Sequence, residues 1–278
     1  MIRSIFQPWL MFAWMCAAVC APGAEGNMDA ETGNLSGWSG FDRISDSAPR
    51  SGRFCFHVRG YKEVISEIFI PVNKEKTYIV SAWLKSFGSD NSRVFLGVVP
   101  YDKNKERIQS QFVNGVKGTE TVLLEPCTAG SNAIKVRNAE KWKKGQGFGV
   151  AFDIDASGKM ADLPNNKVIM GIESITNENG VWSIKLTRNL KDGFPKGTAV
   201  REHSYGPSAI YVVSDKHVPQ EWQEAKGTIK GMSSPGRIEP GKWWAGCEYA
   251  RVMILVNYKQ DNNAKLAVDD VKIDASSH

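Results

Sequence analysis

Along most of this 278-residue chain, apolar and polar residues alternate with a period of two. Phe54, Phe56 and Val58 alternate with Cys55 and His57, and Tyr78, Val80, Ala82 and Leu84 alternate with Ile79, Ser81, Trp83 and Lys85. That period places one set of side chains on a core and the other on the opposite face of a sheet. Further strands are predicted over 93–99, 122–124, 147–154, 168–175, 181–186, 209–213 and 249–258, punctuated by Gly, Asn and Asp clusters. Asn177-Glu178-Asn179-Gly180 has the composition of a tight hairpin turn. Helical periodicity is scarce, and only a short turn around Pro219–Ala225 is expected to be helical. Many short strands with regular turns predict an all-β sandwich.

One alternation breaks. Leu266 and Val268 share one parity, Val271 and Ile273 share the other, and Asp269-Asp270 stands between them. A parity switch of this kind implies a bulge, which turns a carboxylate to the side.

Composition narrows the function classes. Arg3 precedes an apolar run from Trp9 to Ala21 that is too short to cross a bilayer, and Ala21-Pro22-Gly23 offers small residues for cleavage. Residues 1–23 therefore read as a secretory leader, and the expected location is extracellular or the cell surface, with no membrane span. Cys16 and Cys20 in this segment lack a good lipobox. The chain carries 35 Lys+Arg against 30 Asp+Glu, and only Lys141, Lys143 and Lys144 cluster. Nucleic-acid binding needs a denser basic face, so no nucleic-acid partner is expected. Three cysteines lie beyond the leader: Cys55, Cys127 and Cys247. An oxidising compartment permits one disulfide among three pairings, and the strand-end positions of Cys127 and Cys247 favour that pair.

Four segments in order carry a resemblance: "NMDAETGNLSGW" (Asn27–Trp38), "SGRFCFHV" (Ser51–Val58), "IFIPVNKEKTYIVSAWLKS" (Ile68–Ser86) and "AKLAVDDVKI" (Ala264–Ile273). Together they resemble the jelly-roll carbohydrate-binding modules of families four, nine and twenty-two. The resemblance implies a jelly-roll β-sandwich whose first and last strands lie together. It covers about 110 residues at the front and about 30 at the back. The expected organisation is therefore a sandwich over 24–138 and 245–278, with a large β-rich insertion over 139–244. In the resembling modules, an acidic residue of the opening motif and one from the closing strand bind structural calcium. The matching residues are Glu31 and Asp269 or Asp270, with Asn27 and Asp29 nearby. Calcium takes six to eight oxygens, so backbone carbonyls would supply most of them. A second acidic run, Asp153–Asp162, begins like a calcium loop but has Pro164 where a bidentate Glu belongs, and a hairpin turn is the favoured reading.

A poly- or oligosaccharide is the partner the resemblance implies. Sugar recognition needs aromatic platforms flanked by hydrogen-bonding groups. Trp83 stands on the polar parity of its strand, where Tyr101, Arg251 and Asn257 could share its face and His57 border it. Trp222, Trp243 and Trp244 lie in Gly/Pro-flanked loops, of which Trp222 and Trp244 are taken as rim ligands. Trp38, Trp142 and Trp182 read as core or staple residues. For catalysis, no two of Glu173, Glu178, Glu202, Glu221 and Glu224 are singled out by spacing. His203 beside Glu202, Arg201 and Tyr205 is the one acid–base candidate, and a structural histidine is the favoured reading. The reading is a non-catalytic carbohydrate-binding protein. Its rival is a surface or matrix protein that self-associates through exposed strand edges and the odd cysteine. A polysaccharide hydrolase or lyase ranks third.

Overall fold

The computed structural model describes residues 28–88, 92–258 and 262–276. The predicted leader and Asn27 fall outside them. The first strands are β1 (Trp38–Ser39), β2 (Arg43–Ser45), β3 (Cys55–Arg59), β4 (Lys62–Ser66), β5 (Ile70–Pro71), β6 (Thr77–Ser86) and β7 (Arg93–Tyr101). After the short helix α1 (Ser110–Val113) come β8 (Thr121–Val122), β9 (Ala133–Val136), β10 (Gly145–Phe152), β11 (Val168–Glu178), β12 (Val181–Leu186) and β13 (Ala199–Ser204). The last are β14 (Ile210–His217), β15 (Gln223–Lys230), β16 (Tyr249–Val256) and β17 (Lys265–Ser276).

These strands form three antiparallel sheets. A six-stranded front sheet runs β1-β4-β16-β7-β14, with β5 also paired to β16. A five-stranded back sheet runs β15-β6-β17-β3-β2. Strands distant in sequence are neighbours, and the chain alternates between the two layers, as in a jelly roll. The layers enclose one core. Val64, Leu96, Val98, Val252 and Ile254 come from the front sheet, and Phe56, Val58, Val80, Leu84 and Val268 from the back. Each such side chain contributes about 1.5–3 kcal/mol on burial. The parity expected for β6 holds, with Tyr78, Val80, Ala82 and Leu84 inside and Trp83 outside. The ends also meet: β17 lies between β3 and β6, and Val271 N donates to Met28 O at 3.2 Å. The expected bulge falls between Asp269 and Lys272, where Asp270 takes a φ of 46°.

The third sheet, β8-β13-β10-β11-β12-β9, has its own core of Leu123, Val136, Phe152, Ile172, Ile184 and Val200. Its hairpin β11–β12 turns at Asn179 and Gly180, both at positive φ (51° and 82°), as the Asn-Gly pair requires. The boundaries 139–244 expected for the insertion need correction. β8 and β9 belong to the third sheet, whereas β14 and β15 return to the sandwich beside β7 and β6. Their apolar residues explain the return, because Ile210, Ala225 and Ile229 fill the main core. The excursion leaves at Asn114 and comes back at Ser204, where Ser204 N donates to Asn114 O at 3.0 Å and Asn114 Nδ2 donates to Ser204 Oγ at 2.9 Å.

Two other expectations change. The stretch Pro219–Ala225 is not helical; it leads into β15, and the one short helix among the described residues is α1. Cys55, Cys127 and Cys247 are all free thiols and all buried. Cys247 packs in the sandwich core and Cys127 in the third sheet's core, so the favoured pairing is absent.

Candidate functional site

The two sheets of the sandwich have very different outer faces. On the back sheet Trp83 is half-buried, and the Arg50 guanidinium lies over its ring at 4.2 Å. Arg50 also pairs with Asp270 at 2.9 Å. Asp269 and Glu224 stand beside Trp83 on the neighbouring strands. A cation thus covers the platform that a sugar ring would need, which offsets the cost of an outward-facing indole.

The carboxylates matched to the calcium motif do converge on one loop. Glu31 accepts from Arg53 N and Phe54 N at 3.0–3.1 Å, and Asp269 Oδ2 accepts from Arg50 N at 2.9 Å and Ser51 N at 3.2 Å. Asp270 accepts from Ser51 Oγ at 2.9 Å. Burial raises the Asp269 carboxyl above its usual range, more than its N–H donors lower it. Donors and a guanidinium surround these oxygens, and among the described residues no three His, Cys, Asp or Glu side chains gather as a metal set. This donor-filled arrangement does not fit a calcium site, and it explains the acids as a clamp on loop 50–54. Gly52 belongs to the same device, because a Cβ there would lie 2.4 Å from the Glu31 carboxylate. In the second acidic run, Asp155 accepts from Ala161 N, Ser157 Oγ and Ser157 N, bonds that hold its carboxyl down at about 2. These are turn contacts within the loop that joins β10 to β11.

The front sheet presents aromatic residues. On β7 and β16, the parity opposite the core carries Phe95, Val99 and Tyr101, then Tyr249, Arg251, Met253 and Leu255. Val99, Tyr101, Met253 and Leu255 are buried in a small second cluster, and Phe95, Tyr249 and Arg251 are half-buried. Tyr101 and Arg251 therefore do share a face, but on the sheet opposite Trp83. Phe69 packs edge-on to Tyr101 at 5.0 Å, and the Arg251 guanidinium sits 5.3 Å from the Phe69 ring. Phe95 is flanked by Tyr211 at 5.0 Å and Tyr258 at 4.8 Å. Tyr61 and Tyr258 are each 46% exposed. Gly97 lies opposite Tyr211 and admits the close approach of β14, since a Cβ there would meet Ile210 O at 2.1 Å. Polar groups border the rings: Arg107 faces Glu63 at 3.7 Å and donates to Ser208 O at 3.0 Å, and Ser208 Oγ bonds Tyr211 Oη at 2.8 Å. Burial raises the Tyr211 phenol, with the Ser208 bond opposing, so it stays a neutral donor and acceptor at neutral pH.

The remaining expected ligands are placed elsewhere. Trp244 is fully buried in the main core, as is Trp243, whose ring meets Tyr78 edge-on at 5.2 Å. Asn257 is buried and donates to Gly60 O and Ala264 O, closing the turn after β16. Neither can reach a ligand. Trp222 is half-buried, with Nε1 donating to Ala48 O at 3.3 Å on the back-sheet side.

No protein-family model matches this chain, and no curated protein does. Solved structures do. A carbohydrate-binding module of family 22, the xylan-binding domain of Xyn10C from Paenibacillus barcinonensis, is 10% identical with a TM-score of 0.33, covering 90% of this chain and 93% of that one. A family 16 carbohydrate-binding module is 10% identical with a TM-score of 0.34, covering 89% and 96%. TmCBM61, solved with β-1,4-galactotriose, is 9% identical with a TM-score of 0.30, covering 91% and 99%. At these scores the sandwich is read from the strand pairing itself, and the site from its own residues.

The acid–base candidate is an interior group. Arg201, Glu202 and His203 are all at 0% exposure. His203 Nδ1 donates to Gln111 O at 2.7 Å, and Nε2 accepts from Arg201 at 2.8 Å. Arg201 pairs with Asp162 at 2.9 Å. Burial pulls the imidazole down to about 4; the Gln111 bond opposes this, and the Arg201 charge adds to it. Burial raises the Glu202 carboxyl. Sequence reasoning missed Phe95, Tyr61, Tyr211 and Tyr258. A signal existed for Phe95: "RVFLGVVPY" is apolar on both parities, and Phe95 and Tyr101 share the parity opposite the core. Tyr61 and Tyr258 lie in turns and Tyr211 on an edge strand, where alternation gives no such signal.

Proposed function

We propose that this protein is an exported, non-catalytic carbohydrate-binding protein whose glycan lies across the outer face of the front sheet. The observation that carries the reading is the Phe95, Tyr211 and Tyr258 ring cluster, with Tyr61 close to Tyr211. It is partly exposed and bordered by Glu63, Arg107 and Ser208, with Phe95 and Tyr211 on β7 and β14 and Tyr61 and Tyr258 on the turns before β4 and after β16. Pyranose rings present apolar C–H faces and equatorial hydroxyls, which match aromatic surfaces rimmed by donors and acceptors. Phe69 and Arg251, both half-buried, continue the same face, whereas Tyr101 beneath them is buried and is not a ligand contact. The non-catalytic part of the reading is supported by the enclosure of Glu202 and His203, and export by the Arg3-apolar-small pattern at the start of the chain.

The self-assembly alternative draws less support from the edges. β1 and β2 are two and three residues long, β14 is broken by register shifts, and β15 exposes Glu224, Lys226 and Lys230. Such edges discourage strand addition. Affinity electrophoresis through gels containing xylan, galactan, mannan or β-glucan tests the proposal. At least one polysaccharide should retard the protein, and the double substitution Tyr211→Ala with Tyr258→Ala should abolish the retardation. Unretarded migration in every gel would refute it.

A further inference from the structure

The point where the chain leaves the sandwich for the third sheet and returns holds a cavity. It has a volume of about 350 Å³ and is lined by Arg107, Gln109, Gln111, Tyr205 and Ser208. A cavity of that size lies at the small end of ligand sites and suits a single sugar unit better than a chain. Its walls come from both parts of the molecule. Gln109 and Gln111 flank the start of α1, whereas Tyr205 follows β13 on the way back to the sandwich. Gly206 N donates to Ser110 Oγ at 3.1 Å and closes the floor between them.

We infer that this junction pocket is a terminal subsite, in which one neutral pyranose of the bound glycan stacks on Tyr205 beside Gln109 and Gln111. The inference rests on the reading of the front sheet as the glycan face. Three observations support it. Tyr205 is 48% exposed, the most exposed large aromatic among the described residues. An exposed ring at a cavity mouth is a stacking platform. The two glutamine side chains bond each other through Gln111 Nε2 and Gln109 Oε1. That pair leaves a carbonyl and further N–H groups for vicinal hydroxyls. Finally, Arg107 and Ser208 line both this pocket and the border of the Tyr211 cluster, so the two surfaces are continuous.

The inference also gives the buried group at residues 162, 201 and 203 a task. His203 donates to the backbone carbonyl of Gln111, Arg201 fixes the other ring nitrogen, and Asp162 holds Arg201. Asn114 Nδ2 donates to the Tyr205 carbonyl at 3.3 Å from the same side. These side chains are positioning residues: they lock the two walls of the pocket against each other before a ligand arrives. Preorganisation of this kind improves affinity by removing the entropy of ordering the walls.

Titration calorimetry with linear β-1,4-linked xylo-, manno-, cello- and galacto-oligosaccharides of two to six units tests this, using the full chain and its Tyr205→Ala, Tyr205→Phe and Tyr258→Ala variants. For the series that binds, affinity of the wild type should rise with length. Tyr205→Ala should remove about tenfold for the longest members and leave the shortest unchanged, Tyr205→Phe should retain the gain, and Tyr258→Ala should weaken every length. An unchanged melting temperature for Tyr205→Ala, whose ring is half exposed, would assign the loss to the pocket. Equal affinities of wild type and Tyr205→Ala at every length would overturn the subsite and leave the sheet-face reading standing. Absence of wild-type binding to all four series would overturn both.

Discussion

Acidification offers a quantitative test of the buried group at the junction. His203 is neutral because burial holds its pKa at about 4, against an ordinary value of 6.5. The unfolded chain therefore takes up a proton between those two values and the folded chain does not. Stability from this residue is fully present above about pH 6.5 and is lost as pH falls towards about 4. At about 1.4 kcal/mol per pH unit, that interval corresponds to a loss of about 3 kcal/mol, a large share of the roughly 5–15 kcal/mol that holds a domain together. Asp162 lies in the same network. Burial raises it, but Asn165 and Arg201 more than compensate, so its carboxyl is held low and its contribution fades at lower pH. Glu202 is raised and acts in the opposite sense, destabilising as pH rises. Both are present in a His203→Gln variant, so the difference between the two proteins isolates the imidazole. Urea unfolding at pH 7, 6, 5 and 4 should show the wild type losing about 3 kcal/mol more than His203→Gln. Parallel pH profiles for the two proteins would refute the argument.

Other outcomes follow from individual contacts. Trp244→Ala should destabilise the fold by about 3–5 kcal/mol, because the indole fills the core, and should do so without any specific loss of glycan affinity; a stable variant that no longer binds would contradict this. Arg50→Ala removes the cover of Trp83 and the partner of Asp270, and should red-shift tryptophan emission and cost about 1–3 kcal/mol in chemical denaturation; unchanged emission would contradict the stacking. EDTA and added calcium should leave the melting temperature unchanged, since N–H donors occupy the Glu31 and Asp269 oxygens, and a calcium-dependent rise would show that the clamp rearranges around a cation. Mass-spectrometric mapping should find Cys55, Cys127 and Cys247 unmodified by alkylating agents until the chain is denatured, with burial holding Cys247 up at about 12; a recovered disulfide peptide would overturn the free-thiol assignment.

Much of the fold is legible in the sequence because its decisive signals are local. Period-two alternation identifies β6 and its inward face, the Asn179-Gly180 pair marks the β11–β12 turn, and the broken parity at Asp269-Asp270 marks the bulge in β17. What local signals lack is the identity of a strand's partner. Parity shows that Trp83 points out of the core, but not that it shares a sheet with Asp269 while Tyr101 and Arg251 belong to the opposite layer. The same gap moved the insertion boundary, since β14 reads as a strand in either setting and only its pairing with β7 places it in the sandwich. The expected calcium set has a similar origin. Glu31 and Asp269 do approach one loop, but which groups of that loop face their oxygens depends on backbone geometry that residue types do not encode.

A crystal structure of the full chain soaked with the oligosaccharide it binds best addresses the central claim most directly. The account predicts sugar density against Tyr211 and Tyr258 on the front sheet, with Trp83 still beneath Arg50 on the other side. Density stacked on Trp83, with the front-sheet aromatics bare, would contradict it.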